Sequence, residues 1–534
     1  MVIRRIVQLQ EPFLRSCVRA ARVGALVLVT AWSAGAEAAG RAATLSECGR
    51  RALADNPTLR ISLLEERRTE LEIGAARGAF FPTLGSNLGF LRAVAPDRSA
   101  PGSASGTAGS STLTYDLGLG GVLPTGTRYK LGVEGSGFWT DVHATPFSPE
   151  FANGLSLSLT QPLLRGWGLR TSLSRLTVAR LDHRRSKEEV QAAISDLLLE
   201  VVTAYWTLST RVEEHRIALM SRDLALKQLS LAKRRVQNGT LAAVDLVESE
   251  AAVALRERQI ILAEREVTLA EHSLLRLMYS HGPPGSSSAM ELGQGILPVD
   301  EPKVDATGAP LDALIATALR NRPELRASDL AVNAAREELR AASNAALPAL
   351  DLQVGGGLRS LAGESTFGRS AYAQGAAPPQ ALVGGFGDAW RRVFTAQAPY
   401  VQVALSFELP LSGDHRRQEL ERRAIAARRL EAERVRRSSE VTLEVRRAHA
   451  ELQAQLRILG ATQHHIDLAL RHLAVVETKF KRGLATIFDL LRVQEDVVVA
   501  RRELVRASRN QAIARAALDR AVGRLPSTFG VTVR

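Results

Sequence analysis

Cysteine, aromatic side chains and long apolar runs are what this 534-residue sequence has least of. Of its two cysteines, Cys17 falls within a predicted export signal, which leaves Cys48. A single thiol makes neither an internal disulfide nor a zinc site. Aromatics amount to 5% while hydrophobic residues reach 45%, a balance that suits helical rods rich in Ala, Leu, Arg and Glu better than a large enzyme core. No stretch of roughly 18 consecutive apolar residues occurs, so no membrane-spanning helix is predicted. Any crossing of a bilayer therefore falls to strands.

Patterns that carry chemistry are also missing. His464, His465 and His472 lack the i, i+4 spacing that sets two metal ligands on one helix face. Gly355-Gly356-Gly357 has no Gly-Lys-Ser/Thr after it, so it is not a phosphate loop. No Ser/His/Asp order or paired carboxylate has supporting context. The expectation is no enzyme, no cofactor and no metal.

The N-terminus carries Arg4, Arg5, Arg15, Arg19 and Arg22 ahead of the apolar run Val23–Val29. Ala34-Gly35-Ala36 fits a cleavage site, so residues 1–36 are predicted to be a signal peptide, with an amphipathic anchor as the alternative. Arg15, two positions before Cys17, argues against a lipidation box. The formal charge is +13, of which five Arg and one Glu in residues 1–36 supply +4. Arg pairs at 416/417, 422/423, 428/429, 436/437 and 446/447 raise a nucleic-acid reading. Glu419, Glu421, Glu431, Glu433, Glu440 and Glu444 are interleaved, which favours a salt-bridged solvated helix; a basic stripe for anionic cargo stays open. No nucleic-acid partner is expected.

What is present is a duplication. Residues 45–84 align without gaps on 311–350 at an offset of 266, with 14 identities in 40 positions, among them Pro57/Pro323 and Pro82/Pro348. A second pairing, at an offset of 244, matches Leu226, Leu229, Gly239, Asp245, Leu246 and Val253 with Leu470, Leu473, Gly483, Asp489, Leu490 and Val497. The expected organisation is a first repeat over 44–281, a Gly/Pro/Ser-rich surface linker over 282–310, a second repeat over 311–525 and a tail over 526–534.

Within each repeat a long helix carries apolar residues at 4/3 spacing. The first seam is Leu198, Val201, Tyr205, Leu208, Val212, His215, Leu219, Arg222, Leu226, Leu229, Lys233 and Val236. The second is Leu452, Leu456, Leu459, Gln463, Ile466, Leu470, Leu473 and Phe480. A mean period of about 3.5 residues is a coiled-coil seam. Each rod ends at a short Gly turn, the predicted tips 237–241 (Asn238, Gly239, Thr240, Leu241) and 481–485 (Arg482, Gly483, Leu484, Ala485). Return helices make both halves antiparallel hairpins, a pairing also common in ordinary helix bundles.

Strands are expected over 82–162 and 348–410. Gly154–Thr160 and Val401–Glu408 alternate apolar and polar residues, the dyad a transmembrane barrel requires. Prolines mark all four helix–strand junctions, Pro82, Pro162, Pro348 and Pro410. Runs 112–122 and 127–139 flank Pro124-Thr125-Gly126-Thr127 and are either a separate hairpin or further barrel strands. Segments 93–111 and 359–398 read as long surface loops. Four strands, or six, cannot close a barrel alone, so a membrane reading requires several copies. A β-sandwich on a helical stalk is the competing reading.

Phe480-Lys481-Arg482-Gly483-Leu484-Ala485-Thr486-Ile487-Phe488-Asp489-Leu490-Leu491 resembles the second hairpin of TolC-like outer-membrane efflux proteins. Gln161–Gly168 resembles their strand-to-helix passage, and Leu53–Pro57 with Pro82 their opening helix. The resemblance spans residues 44–525. It implies a mainly α fold with β: a homotrimer with twelve shared strands in outer-membrane lipid and a helical tunnel through the periplasm. It further implies tips that meet a periplasmic adaptor tied to an inner-membrane pump or ABC transporter, for efflux or type I secretion. Asp245 and Asp489 would stand at the periplasmic entrance as lumen acids favouring cations. Thr486-Ile487-Phe488-Asp489 equally fits a capping box, and the two roles can coexist. Phe480 and Ala485 stand where the best-known member has a tyrosine and an arginine that latch its entrance, and Arg492 replaces a second acid. The rival from another class is a periplasmic coiled-coil adaptor or scaffold.

Overall fold

The computed structural model describes residues 41–96, 107–141, 145–239, 243–279, 295–302, 309–367, 378–409, 411, 414–482 and 484–530. The predicted signal peptide, Thr240, Leu241, Gly483, Pro410 and the end of the tail lie outside the described residues.

Each repeat opens on two helices separated by a proline. In the first, α1 (Leu45–Asp55) gives way to α2 (Pro57–Gly78). The Asn56 side chain starts α2 by accepting from the Thr58 and Leu59 amides at 2.9 and 3.2 Å, and Pro57 is tolerated because first-turn amides have no helical acceptor. After the first strands come α3 (Leu169–Ser172), α4 (Ser174–Gln237) and α5 (Ala243–Met278). The second repeat runs α6 (Leu311–Asn321), α7 (Pro323–Ala345), strands with the short helix α8 (Phe386–Phe394), then α9 (Asp414–Lys481), α10 (Ile487–Val522) and the terminal turn α11 (Leu525–Thr528).

The duplication is visible in contacts. Asn56 donates to the Leu277 carbonyl at 3.0 Å, and Arg322, at the matching place before Pro323, donates to the Ala521 carbonyl at 3.2 Å. The two offsets found in the sequence relate 56 to 322 and 277 to 521. Arg322, 4% exposed, also bonds Glu324 at 2.9 Å and Glu444 at 3.0 Å. Arg520 closes the network onto Glu444 and reaches Asp196 at 2.6 Å. Burial raises the Glu444 carboxyl's pKa, but its Arg322 and Arg520 partners outweigh that and hold it below the ordinary value.

α9 has 68 residues, a rod of about 100 Å at the helical rise. No helix among the described residues is long and apolar enough to cross a membrane. The predicted seam of α9 buries Leu452, Leu459 and Ile466; Gln463 and Leu470 face out. On α4 the seam is Leu198, Val201, Tyr205 and Leu208 as predicted, then slips one residue. Its lower half buries Glu214, Ala218, Ser221, Ala225, Gln228 and Ala232, not His215, Leu219, Arg222, Leu226, Leu229 and Lys233. The reason is a second partner: α10 as well as α5 packs along α4 there, and small side chains let helices approach closely.

The main core gathers Cys48, Leu198, Val201, Tyr205, Trp206, Leu274 and Met278 where α1, α4 and α5 meet. Here the linker reading needs correction. β1 (Arg41–Ala43) pairs in parallel with β6 (Ile296–Pro298), so part of 282–310 is docked. Tyr205 Oη donates to the Ala43 carbonyl and accepts from the Asp300 amide, both at 3.1 Å. Cys48 is fully buried, and burial, with Glu47 adding to it, raises the thiol's pKa to about 11. We expect Cys48 to resist a water-soluble thiol reagent near pH 8 until the chain is unfolded, as thiol titration with and without denaturant would measure.

Six strands pair antiparallel in one sheet: β2 (Thr83–Pro96), β3 (Thr107–Val122), β4 (Arg128–Thr140), β5 (Phe147–Pro162), β7 (Ala349–Ser365) and β8 (Ala398–Glu408), in that spatial order. The doubtful runs are therefore sheet strands, and four per chain gives way to six. Their hairpin is closed by Gly126, whose φ of +91° suits glycine and whose Cα lies so near the Gly166 carbonyl that a Cβ would sit 2.6 Å from it. The expected loops 93–111 and 359–398 are shorter than predicted, because β2, β3 and β7 run into them and α8 occupies the second. Pro162 ends β5, while Pro82 and Pro348 lie just ahead of β2 and β7.

Candidate functional site

Cross-strand register assigns every sheet residue to one of two faces. One carries Leu88, Phe90, Leu117, Leu131, Leu157, Val354, Val401, Val403 and Leu405. The other carries Thr114, Asp116, Lys130, Glu134, Ser156, Ser158, Gln353 and Gln402. The apolar face is bare: Leu88 is 75% and Val401 81% exposed. A cavity of about 860 Å³ is lined by Asp116, Glu134, Arg359 and Ala398 of the polar face together with Tyr115, Asn153, Ser360 and Arg392. Along the polar face Arg128 meets Asp351 at 3.2 Å, Lys130 meets Asp116 at 3.9 Å and Arg359 lies 4.2 Å over the Tyr400 ring. β2 and β8 are the two ends of the sheet, so each offers one side of its backbone to a further strand.

The hairpin tips lie at the far ends of α4 and α9. α4 stops as Asn238 and Gly239 bond back to the Arg234 and Val236 carbonyls at 3.0 Å, with Gly239 at φ +68°. At the second tip the Arg482 and Leu484 amides both donate to the Lys479 carbonyl, at 3.1 and 2.9 Å; Leu484 is exposed and Ala485 packs against Val476, Leu490 and Val493. Asp245 lies in the first turn of α5. Asp489 completes a capping box: its carboxylate accepts from the Thr486 amide and hydroxyl at 2.9 and 2.7 Å, while its amide donates to the Thr486 hydroxyl at 3.2 Å. Those Thr486 bonds, helped by nearby Arg492, hold the exposed Asp489 carboxyl below the usual range. It is ionised at neutral pH.

Sequence periodicity missed the ties between hairpins. The Arg235 guanidinium lies 4.8 Å over the Phe480 ring. Gln228 bonds Gln494, and Arg256 pairs with Glu495. Glu214, 8% exposed, sits between Arg211 at 2.7 Å and Arg506 at 2.6 Å. The Arg235–Phe480 contact stands at the tip, where the resemblance expects a latch whose usual side chains are absent, whereas Glu214 lies about 36 Å back along α4 from Asn238. Only Phe480 could have been flagged from sequence, since spacing within one helix says nothing about its register on another. The arginines of α9 find acids on their own helix and on α7: Arg423 with Glu419 and Glu338, Arg429 with Glu433, and Arg336 of α7 with Glu431.

The profile of the family described as Outer membrane efflux protein matches residues 49–278 and 314–524. No curated protein matches the sequence. Among solved structures, a membrane protein from Pseudomonas aeruginosa superposes with a TM-score of 0.62 at 18% identity, over 90% of this chain and 93% of that one. The CmeC outer membrane channel of Campylobacter jejuni gives 0.63 at 14% identity, over 90% and 86%. The open MtrE outer membrane channel of Neisseria gonorrhoeae gives 0.59 at 18%, over 90% and 89%. At such identities the likeness is one of fold.

Proposed function

Because the chain belongs to the outer membrane efflux protein family, we propose that three copies close one barrel in the outer membrane and form a passive exit duct through it and the periplasm. The observation that carries this is the six-stranded sheet with one exposed apolar face, one polar face and, among the described residues, an unpaired backbone edge at each end. A bilayer tolerates no open edge, and β8 of one copy meeting β2 of the next removes all of them.

Three sheets of six would pool eighteen strands rather than twelve. At ordinary strand spacing and tilt that is a ring about 36 Å across, against about 24 Å for twelve. The helices that join the strands, α2, α4, α7 and α9, number four per chain; twelve of them, about 10 Å apart, make a ring of about 38 Å. Barrel and tunnel would then match in width, so passage is controlled at the tips. There the ties between hairpins hold the entrance, and an adaptor linked to an energised inner-membrane pump would dock and loosen them. Asp245 and Asp489 would ring the opening and favour cations.

The adaptor or scaffold reading is opposed by strands of 11 to 17 residues in a single sheet, long enough to span lipid. Carbonate washing of membranes and conductance in planar bilayers test the duct: retention in the outer-membrane pellet and discrete channels are expected, and a washed-off, non-conducting protein would defeat the reading. For the entrance, Asp245→Asn with Asp489→Asn lowers cation selectivity in the same bilayers while keeping a capping oxygen at 489. The Asp489 carboxyl's pKa is depressed, so the share of selectivity that Asp489 supplies persists as pH falls and fades only below the usual carboxylate range.

A further inference from the structure

One cross-strand row breaks the apolar face: Leu88, Tyr115, Gly135, Asn153 and Ser360 are register partners, and three of the five are polar. Bare to lipid, Asn153 would cost several kcal/mol. Helix α8 lies over this row. Trp390 Nε1 donates to Tyr115 Oη at 3.1 Å, Ser360 Oγ donates to the Ala389 carbonyl at 2.7 Å, and Arg392 donates to the Leu361 carbonyl at 2.9 Å. Tyr115 Oη and the Asn153 side-chain amide are 2.6 Å apart. Gly135 makes the room, since a Cβ there would stand 2.2 Å from the Tyr115 hydroxyl. Phe386 packs edge-on to Tyr115 and Phe151 with ring centres 6.0 and 5.8 Å away. Beneath the helix Asn153 is only 3% exposed.

We infer that α8 is a lipid-side helix, docked on the outer wall of the barrel at the boundary between acyl chains and headgroups of the outer leaflet. The inference rests on the membrane reading above. Three things on the apolar side of the sheet support it. α8 buries Ala389 and Val393 against the wall but leaves Phe394 73% and Phe386 47% exposed, and these continue the bare apolar face. Arg391, paired with Asp388 at 3.1 Å, remains largely exposed beside them, the mix of aromatic and cationic groups that seats at a bilayer interface. Finally the height fits. Asn153 lies nine residues along β5 from Pro162, about 23 Å from the helix junction for a strand tilted by about 40°, close to the usual apolar band of about 25 Å. At the opposite boundary, beside that junction, stand Phe81 and Trp167, 67% and 61% exposed.

The test uses the full-length trimer in vesicles of phosphatidylethanolamine and phosphatidylglycerol, with a nitroxide attached at Phe394→Cys. Buried Cys48 stays unlabelled. Collision with dissolved oxygen, which concentrates in lipid, is compared with collision with a water-soluble nickel chelate. Leu157→Cys and Ser158→Cys report the apolar and polar faces. The inference predicts an oxygen-to-nickel ratio at 394 several-fold above that at 158 and near that at 157. A ratio at 394 equal to that at 158, with 157 still lipid-like, would place α8 in water and overturn the inference alone. If 157 is also water-like, the membrane reading itself fails.

Discussion

Arginine at Leu157 blocks assembly in the outer membrane, whereas arginine at Ser158 next to it leaves assembly intact. The two residues are neighbours in β5 and point to opposite faces, Leu157 beside Leu131 on the exposed apolar face and Ser158 beside Lys130 on the polar one. A guanidinium in the apolar band costs about 2–4 kcal/mol at mid-depth. In a barrel closed by three copies the cost recurs three times, about 6–12 kcal/mol, enough to exceed ordinary stability margins. At 158 the same charge faces water. Heat-modifiable oligomers in outer-membrane fractions, resolved by electrophoresis, check both variants. Equal loss in both would mean that the two faces do not differ in surroundings.

Tyr205→Ala lowers the stability of the helical part by about 4 kcal/mol. Tyr205 is completely buried, stacks edge-on to Trp206 with ring centres 5.4 Å apart, and its hydroxyl ties β1 and the Asp300 loop to α4. Truncation leaves both a large cavity and unpaired backbone groups. Tyr205→Phe removes only the hydroxyl and costs about 1–2 kcal/mol. Denaturant unfolding of detergent-solubilised protein, followed by helical circular dichroism, separates the two. The pH dependence has a definite sign. Burial raises the Tyr205 pKa to about 12, above the unfolded value near 10. Its contribution is therefore complete below about pH 10 and is lost as pH rises through about 12. Tyr205→Phe abolishes that part of the alkaline loss, while the Cys48 part, set by a thiol near 11, remains.

Much of this was legible because local rules decide it. Pro82, Pro162 and Pro348 mark helix–strand junctions wherever they stand in such a pattern, although the same pattern does not announce the break before Pro57 and Pro323 within each opening helix. The duplication at two offsets survives as paired contacts, Asn56 with Leu277 and Arg322 with Ala521. Thr486 and Asp489 form the capping box their spacing allows. Strand alternation was equally plain, since a period of two needs no knowledge of neighbours.

What failed was whatever depends on a second surface. The lower seam of α4 slipped from His215 and Leu219 to Glu214 and Ala218 because α10 also leans on it, and no count along α4 reveals that. Residues 296–298 read as linker because their partner strand lies about 250 positions away in sequence. The run Phe386–Phe394 read as loop because nine residues of helix are too short to announce themselves; propensity alone leaves such a helix marginal, and docking stabilises it.

By itself, then, the sequence determined a duplicated chain of long helices and dyad strands with no apolar spanning helix, because periodicity, proline and glycine act on the backbone locally. Only the tertiary structure decided that six strands share one sheet, which residues tie the hairpins together and where α8 lies. Those outcomes turn on register between segments distant in sequence, and that register is set by packing and hydrogen bonding across surfaces that no single segment contains.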